Sequence, residues 1–208
     1  MFYWPKFMLE VSGVEQRLLA LNSTKRIAFA AACARHAISQ FETMRSAGML
    51  SFSQPGVLQS LLSIIDDIWM AMAWSDVGQT IADYDARLKA IAPSDYKLIM
   101  GYNEGEMLNA TDQVLMCLQE GGSCRRAILA AKNAYHAVSK WHVAKQFPGR
   151  AMSAAEIISF ESESPDCKQE LKFQLATLTY LERVRELPPA CQDLIDSSTN
   201  TSSIVTIR

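Results

Sequence analysis

The side chains able to do chemistry in this chain are three histidines, five cysteines and several closely spaced carboxylates. His36 and His136 occupy equivalent positions of a repeated segment, so a pseudo-twofold arrangement would carry them to related sites. Neither has a carboxylate or histidine three or four residues away, the spacing that sets two metal ligands on one helix face. His142 follows His136 by about 240° around a helix, which excludes a shared face. The spacing therefore reads as polar core or surface histidine. Asp66, Asp67, Glu104 and Glu106 would join a carboxylate metal cluster only beside the Glu-x-x-His pattern of helical di-metal proteins, and no such pattern occurs. Cys33, Cys117, Cys124, Cys167 and Cys191 are odd in number and scattered without a CxxC pair, as reduced cytosolic thiols are. A nucleophile elbow is absent, and the stretch from Gly101 to Gly105 lacks the lysine and preceding strand of a phosphate loop. The expectation is a non-enzymatic protein without a metal or cofactor.

The elements that would position these residues are helices. Apolar residues recur at three and four, and strand signals are nearly absent. Helices are predicted over 14–22, 24–47, 56–74, 77–92, 102–120, 124–147, 153–161, 167–187 and 190–197. Gly48, Pro93, Gly121, Gly122, Pro148, Gly149, Pro188 and Pro189 stand where helices should stop. Ser23 and Ser123 stand where N-caps belong, and Asp76, Ser153 and Ser164 could cap the helices after them. With 49% hydrophobic and 20% charged residues the chain is suited to a folded core. The expected fold is all-α, a single compact bundle of eight or nine helices over residues 1–208. The apolar window from Ile64 to Trp74 is broken by Asp66 and Asp67, short of the roughly 20 residues a membrane span needs. Pro5 and Glu10 interrupt the apolar start and no cleavage site follows, so a cytoplasmic protein is expected.

Internal similarity shapes the bundle. The segment from Ser23 to Phe41 resembles that from Ser123 to Trp141, with His36 matching His136 and Ser39 matching Ser139. A second match, Tyr84 to Pro93 against Tyr180 to Pro189, follows in the same order, defining candidate pseudo-repeats over 23–93 and 123–189. Chance likeness of alanine-rich amphipathic helices is the competing explanation. On the first helix Ile27, Ala31, Ala34, Ile38 and Phe41 form one stripe, with Phe29, Cys33 and His36 opposite. A helix apolar on two faces belongs between neighbours. Its alanines permit axes to approach toward the lower end of the usual range of about 8 to 10 Å.

Stretches along most of the chain also resemble the YjaG-like proteins, a bacterial helical family catalogued as a domain of unknown function. They include Leu18 to Leu21 running into Arg26 to Arg35, Leu62 to Trp69, and Ile91 to Asp95 followed by Tyr102 and Ala110 to Asp112. Glu170 to Gln174 and Thr201 to Ile204 complete the set. The resemblance implies a compact helical fold and cytoplasmic residence, and it supplies no activity and no catalytic residues. The chain departs from the family in its cysteine content and its strongly repeated halves.

Charge gives the functional clue. The net charge of −2 divides into +3 over residues 1–50, −7 over 51–120, +6 over 121–150 and −4 over 151–208. Arg125, Arg126, Lys132, Lys140, Lys145 and Arg150, with Tyr135 and Trp141, form a basic segment free of acids. Nucleic acid is disfavoured there because acidic segments flank it, and internal pairing with those acids is the simpler reading. From Asp66 to Glu120, ten acids face three bases, interleaved with Trp69, Met70, Met72, Trp74, Tyr84, Tyr96, Met100 and Tyr102. Acids around aromatic and methionine anchors suit a basic protein partner, and burial of those anchors in the core is the alternative. Asp67, Met70 and Trp74 share a helix face with Ser60 and Ser63, where exposed apolar surface is expected. The expected partner-binding residues are Asp67, Met70, Trp74, Asp95, Glu104, Glu106 and Asp112. Two functions remain open. One is an immunity protein covering a basic bacterial toxin, such as a nuclease. The other is a housekeeping YjaG-like protein that self-associates as a homodimer or binds a small ligand near His36 and His136.

Overall fold

The computed structural model describes residues 3–46, 56–74, 80–91, 102–187 and 193–196, without the side chains of 45, 73, 74, 80 and 102–104. The chain is all-α. A π-helix Pro5–Val11 precedes α1 (Val14–Ala20), α2 (Ser23–Ser46), α3 (Val57–Trp74), α4 (Thr80–Ile91), α5 (Tyr102–Gln119), α6 (Cys124–Gln146), α7 (Ala154–Glu163) and α8 (Pro165–Arg183). These spans agree with the first eight predicted helices to within a few residues; of the ninth, 190–197, only 193–196 lies within the described residues, and it is helical. The π-helix was not predicted, because Pro5 reads as an interruption although proline is tolerated in a first turn.

Local chemistry sets the boundaries. Asn22, rather than Ser23, caps α2, its Oδ1 accepting from Lys25 N at 2.9 Å. Ser123 occupies the N-cap position of α6 but makes no side-chain capping bond. Ser153 and Glu156 form a reciprocal capping box at α7, and Ser164 accepts from Cys167 N at α8. Asp76 lies outside the described residues. Between α5 and α6 the chain turns through Gly121 and Gly122 at φ of 62° and 85°, where a β-carbon is disfavoured.

The centre is α2, buried almost without a break from Ile27 to Ser39, with α3, α5, α6 and α8 packed around it. A stretch so poor in polar surface can only be interior, as its two apolar faces require. Helices α5 and α6 form a hairpin. Helices α2 and α6 run parallel, in register with the repeat. At one end Arg26 Nε donates to Gly122 O at 2.5 Å, beside Ser23. At the other, Phe41 and Trp141 meet edge to face with centroids 6.4 Å apart. Residues about one hundred positions apart thus meet across the interface. The second match behaves differently, since Tyr84 is buried and Tyr180 is half-buried with its hydroxyl donating to Asp193. One apolar cluster runs from Trp4 to Leu194 through every helix described except α7, each fully buried large side chain contributing roughly 1.5–3 kcal/mol.

Candidate functional site

The outer face of α3 brings together part of the predicted partner-binding set. Leu58, Leu61, Ile65, Ile68 and Trp69 turn into the core, so the helix presents Ser63, Asp66, Asp67 and Met70 outward. Met70 is 54% exposed, an unusual state for a large apolar side chain in this molecule. A carboxylate lies on either side of it, each held by an arginine from a neighbouring helix. Arg35 Nε of buried α2 donates to Asp66 Oδ1 at 2.6 Å. Arg87 of α4 donates to Asp67 Oδ2 at 2.5 Å and to Ser63 Oγ at 3.0 Å. Both carboxylates remain about half open, at 44% and 45% side-chain exposure, so each retains oxygen surface for a further donor. Trp74 shares this face by helical spacing, but its side chain is outside the described residues.

The other predicted acids are placed differently. Glu106 of α5 is engaged by Lys140 of α6. Asp112 is half-buried, accepts from Gln113 at 3.1 Å, and has its pKa raised by burial against the opposing pull of Arg126. Asp95 and the Glu104 side chain lie outside the described residues. Glu120 receives Arg126 Nε at 2.8 Å, which with Ser123 lowers its pKa. Two carboxylates of the acidic segment, Glu106 and Glu120, are thus matched by cations of the basic one, whereas Asp66 and Asp67 are held by Arg35 and Arg87 from outside it. Among the interleaved anchors, Trp69, Met72 and Tyr84 are core residues, and Tyr96 and Met100 lie outside the described residues.

Sequence spacing gave no sign of a polar network buried between α2, α6 and α8. Glu170 is completely buried and accepts at both oxygens. His36 Nδ1 lies 2.7 Å from Oε2, Gln40 Nε2 lies 3.3 Å from the same atom, and Gln174 Nε2 donates to Oε1 at 2.8 Å. Gln174 also donates to Ala131 O at 2.9 Å and accepts the Trp4 indole N–H at 2.7 Å, which fastens the π-helix to the bundle. Phe173 stacks on the His36 ring at 3.7 Å. The burial of Cys33 beside Glu170 drives its thiol pKa well up. Only α8, with Glu170 and Gln174 one turn apart, could have hinted at this polar stripe.

A second buried group joins α6, α7 and α8. Ser139 Oγ donates to Glu161 at 2.5 Å. The Tyr135 hydroxyl faces Glu161 and Cys167 without closing a hydrogen bond of ordinary geometry. Burial raises the pKa of Tyr135 and Glu161, and pushes Cys167 up to about 11. His136, equivalent to His36, is half-buried, and desolvation lowers its pKa against the opposing pull of Glu106. The matched histidines therefore sit in unlike surroundings. His142 Nδ1 lies 3.3 Å from Asp166. Among the described residues no cluster of three or more His, Cys, Asp or Glu could hold a metal ion, and no helix is long and apolar enough to cross a membrane.

No protein-family model matches this sequence, and no curated protein matches it. The resemblance to the YjaG-like family rests on the segments quoted above.

Proposed function

We propose that this is a non-enzymatic protein-binding protein, in its sharpest form a cytosolic immunity protein that neutralises a basic bacterial toxin such as a nuclease. The observation that supports the reading is Met70, 54% exposed between two half-open carboxylates on α3. An apolar anchor beside acids fixed by Arg35 and Arg87 offers a basic partner desolvation at the centre and charge at the edge, with little side-chain ordering left to do. The acids that define the site are Asp66 and Asp67, because their carboxylates stay about half open whereas Glu106 is 13% exposed and Asp112 is half-buried. Met70→Asp and Asp67→Lys test the assignment by co-purification with the toxin. Each is expected to weaken capture at least tenfold while the circular dichroism spectrum is retained. Undiminished capture by both variants removes α3 from the interface.

A second reading, self-association of a housekeeping YjaG-like protein, is favoured by Val11 and Leu19, 67% and 61% exposed near the N-terminus. Sedimentation distinguishes it. A dimer dispersed by Val11→Asp and Leu19→Asp supports this reading, and a monomer at high protein concentration opposes it.

A further inference from the structure

The cations of α6 are largely spent within the molecule. Lys140 engages Glu106, Arg126 engages Glu120, and Lys145 lies 4.9 Å above the Trp141 ring. On α8 the arrangement is the reverse. Lys168, Lys172 and Arg183 are exposed, as is Arg185 just beyond the helix, and none of the four has an ion-pair or hydrogen-bond partner among the described residues. At 100° per residue the three helical cations fall within an arc of about 60°, and they span about 22 Å of axis. Thr179 lies on the same arc and accepts from Arg17 Nη2 at 2.9 Å, the guanidinium itself being paired with Glu182. The acid of α8 nearest the arc, Glu182, is occupied by Arg17 at 2.7 Å.

We propose that this row is a contact surface for the sugar-phosphate backbone of a double-stranded nucleic acid. A straight line of flexible cations meets what phosphate contact requires, and it needs no base readout. Single strands are disfavoured because the row carries no ring for base stacking: Phe173 lies against His36, and Tyr180 is half-buried about 60° around the helix from Arg183. An acidic protein is disfavoured because Ala176 and Thr179 along this face are small and Leu175 beside them is half-buried, so no exposed large anchor is supplied. An anionic bilayer is disfavoured because the row is one helix wide, and a flat surface would meet Glu182 as well. The row is on a different helix from Asp67 and Met70 and does not depend on the toxin-binding reading.

Fluorescence anisotropy on the full chain with a mixed-sequence duplex of about 20 base pairs, RNA and DNA in turn, tests the proposal. Four phosphate contacts predict an affinity that falls about a hundredfold between 50 and 200 mM salt. The K168E/K172E/R183E variant should lose binding, and K6E/K89E/R125E, which changes net charge equally on other elements, should keep most of it. Absence of duplex binding at 50 mM salt overturns the proposal, as does equal loss in both triple variants. Tighter binding to the single strand overturns the assignment to duplex. Binding to phosphatidylserine vesicles without duplex binding gives the row to lipid and also overturns it.

Discussion

Replacing Gly122 by alanine probes the parallel pairing of α2 and α6 at its tightest point. Gly122 has φ of 85°, and a β-carbon there would stand 2.5 Å from both the Cα and the carbonyl oxygen of Ser23. Two costs combine. The left-handed backbone disfavours any L-residue by about 1–2 kcal/mol. The contact is roughly 1 Å shorter than ordinary van der Waals separation, and backbone rather than a flexible side-chain end must yield, which in packed interiors costs about 1–3 kcal/mol. The start of α2 must move, and the Arg26 to Gly122 hydrogen bond is strained with it. Gly121→Ala is the internal control, since Gly121 has φ of 62° and its added β-carbon would meet nothing within 4 Å, so only the backbone cost applies. Urea denaturation at equal m should show a loss of about 3–4 kcal/mol for G122A and about 1–2 kcal/mol for G121A. At roughly 2–4 °C per kcal/mol for a chain of this size, G122A should melt about 10 °C below wild type. Equal losses for the two variants would refute the close approach of α2 to the turn, and with it the parallel register of the repeated helices.

The remaining predictions concern the buried polar groups. Glu161 has a folded pKa raised by burial, so its neutral form is favoured and its contribution is complete below the unfolded value of about 4.3 and lost as pH rises through the folded value. Glu161→Gln should therefore gain stability relative to wild type from mildly acidic pH to pH 8, and a constant difference across that range contradicts the assignment. His136 and His142 have pKa values lowered by burial, so their contribution is present above about 6.5 and lost as pH falls through the folded values. The H136Q/H142Q double variant should show a shallower acid limb in thermal melts, and an unchanged limb opposes this. Glu170→Ala strands the donors of His36 and Gln174 in the core and should cost about 3 kcal/mol in urea denaturation. A cost below about 1 kcal/mol would mean that the network is not closed as described.

The fold was legible because helices speak locally. Apolar spacing, the capping serines Ser153 and Ser164, and stops such as Gly121 lie within a turn of what they govern. The double-sided apolar pattern of α2 also implied its central place, since only an interior helix can hide both faces. The π-helix escaped because its anchor is Gln174, 170 residues from Trp4. The same distance in sequence concealed the partners of the acids. Asp67 and Met70 could be placed on one helix face by counting residues, but pairing of Glu106 with Lys140 depends on how α5 and α6 fold back on each other. Likewise His36 and His136 look equivalent in sequence, and the difference between them is made by Glu170, which α8 supplies to one alone. The cations of α8 that have no partner among the described residues stood in a segment of net negative charge, where counting by segment hides a row that only helical geometry separates.

Neutralisation of a basic toxin through the outer face of α3 is tested most directly in cells that express the product of the reading frame next to this chain's gene. Growth should arrest with that product alone, recover when the wild-type chain is co-expressed, and fail to recover with a folded M70D/D67K variant. Normal growth with the neighbouring product alone, or full recovery with the variant, would contradict the proposed function.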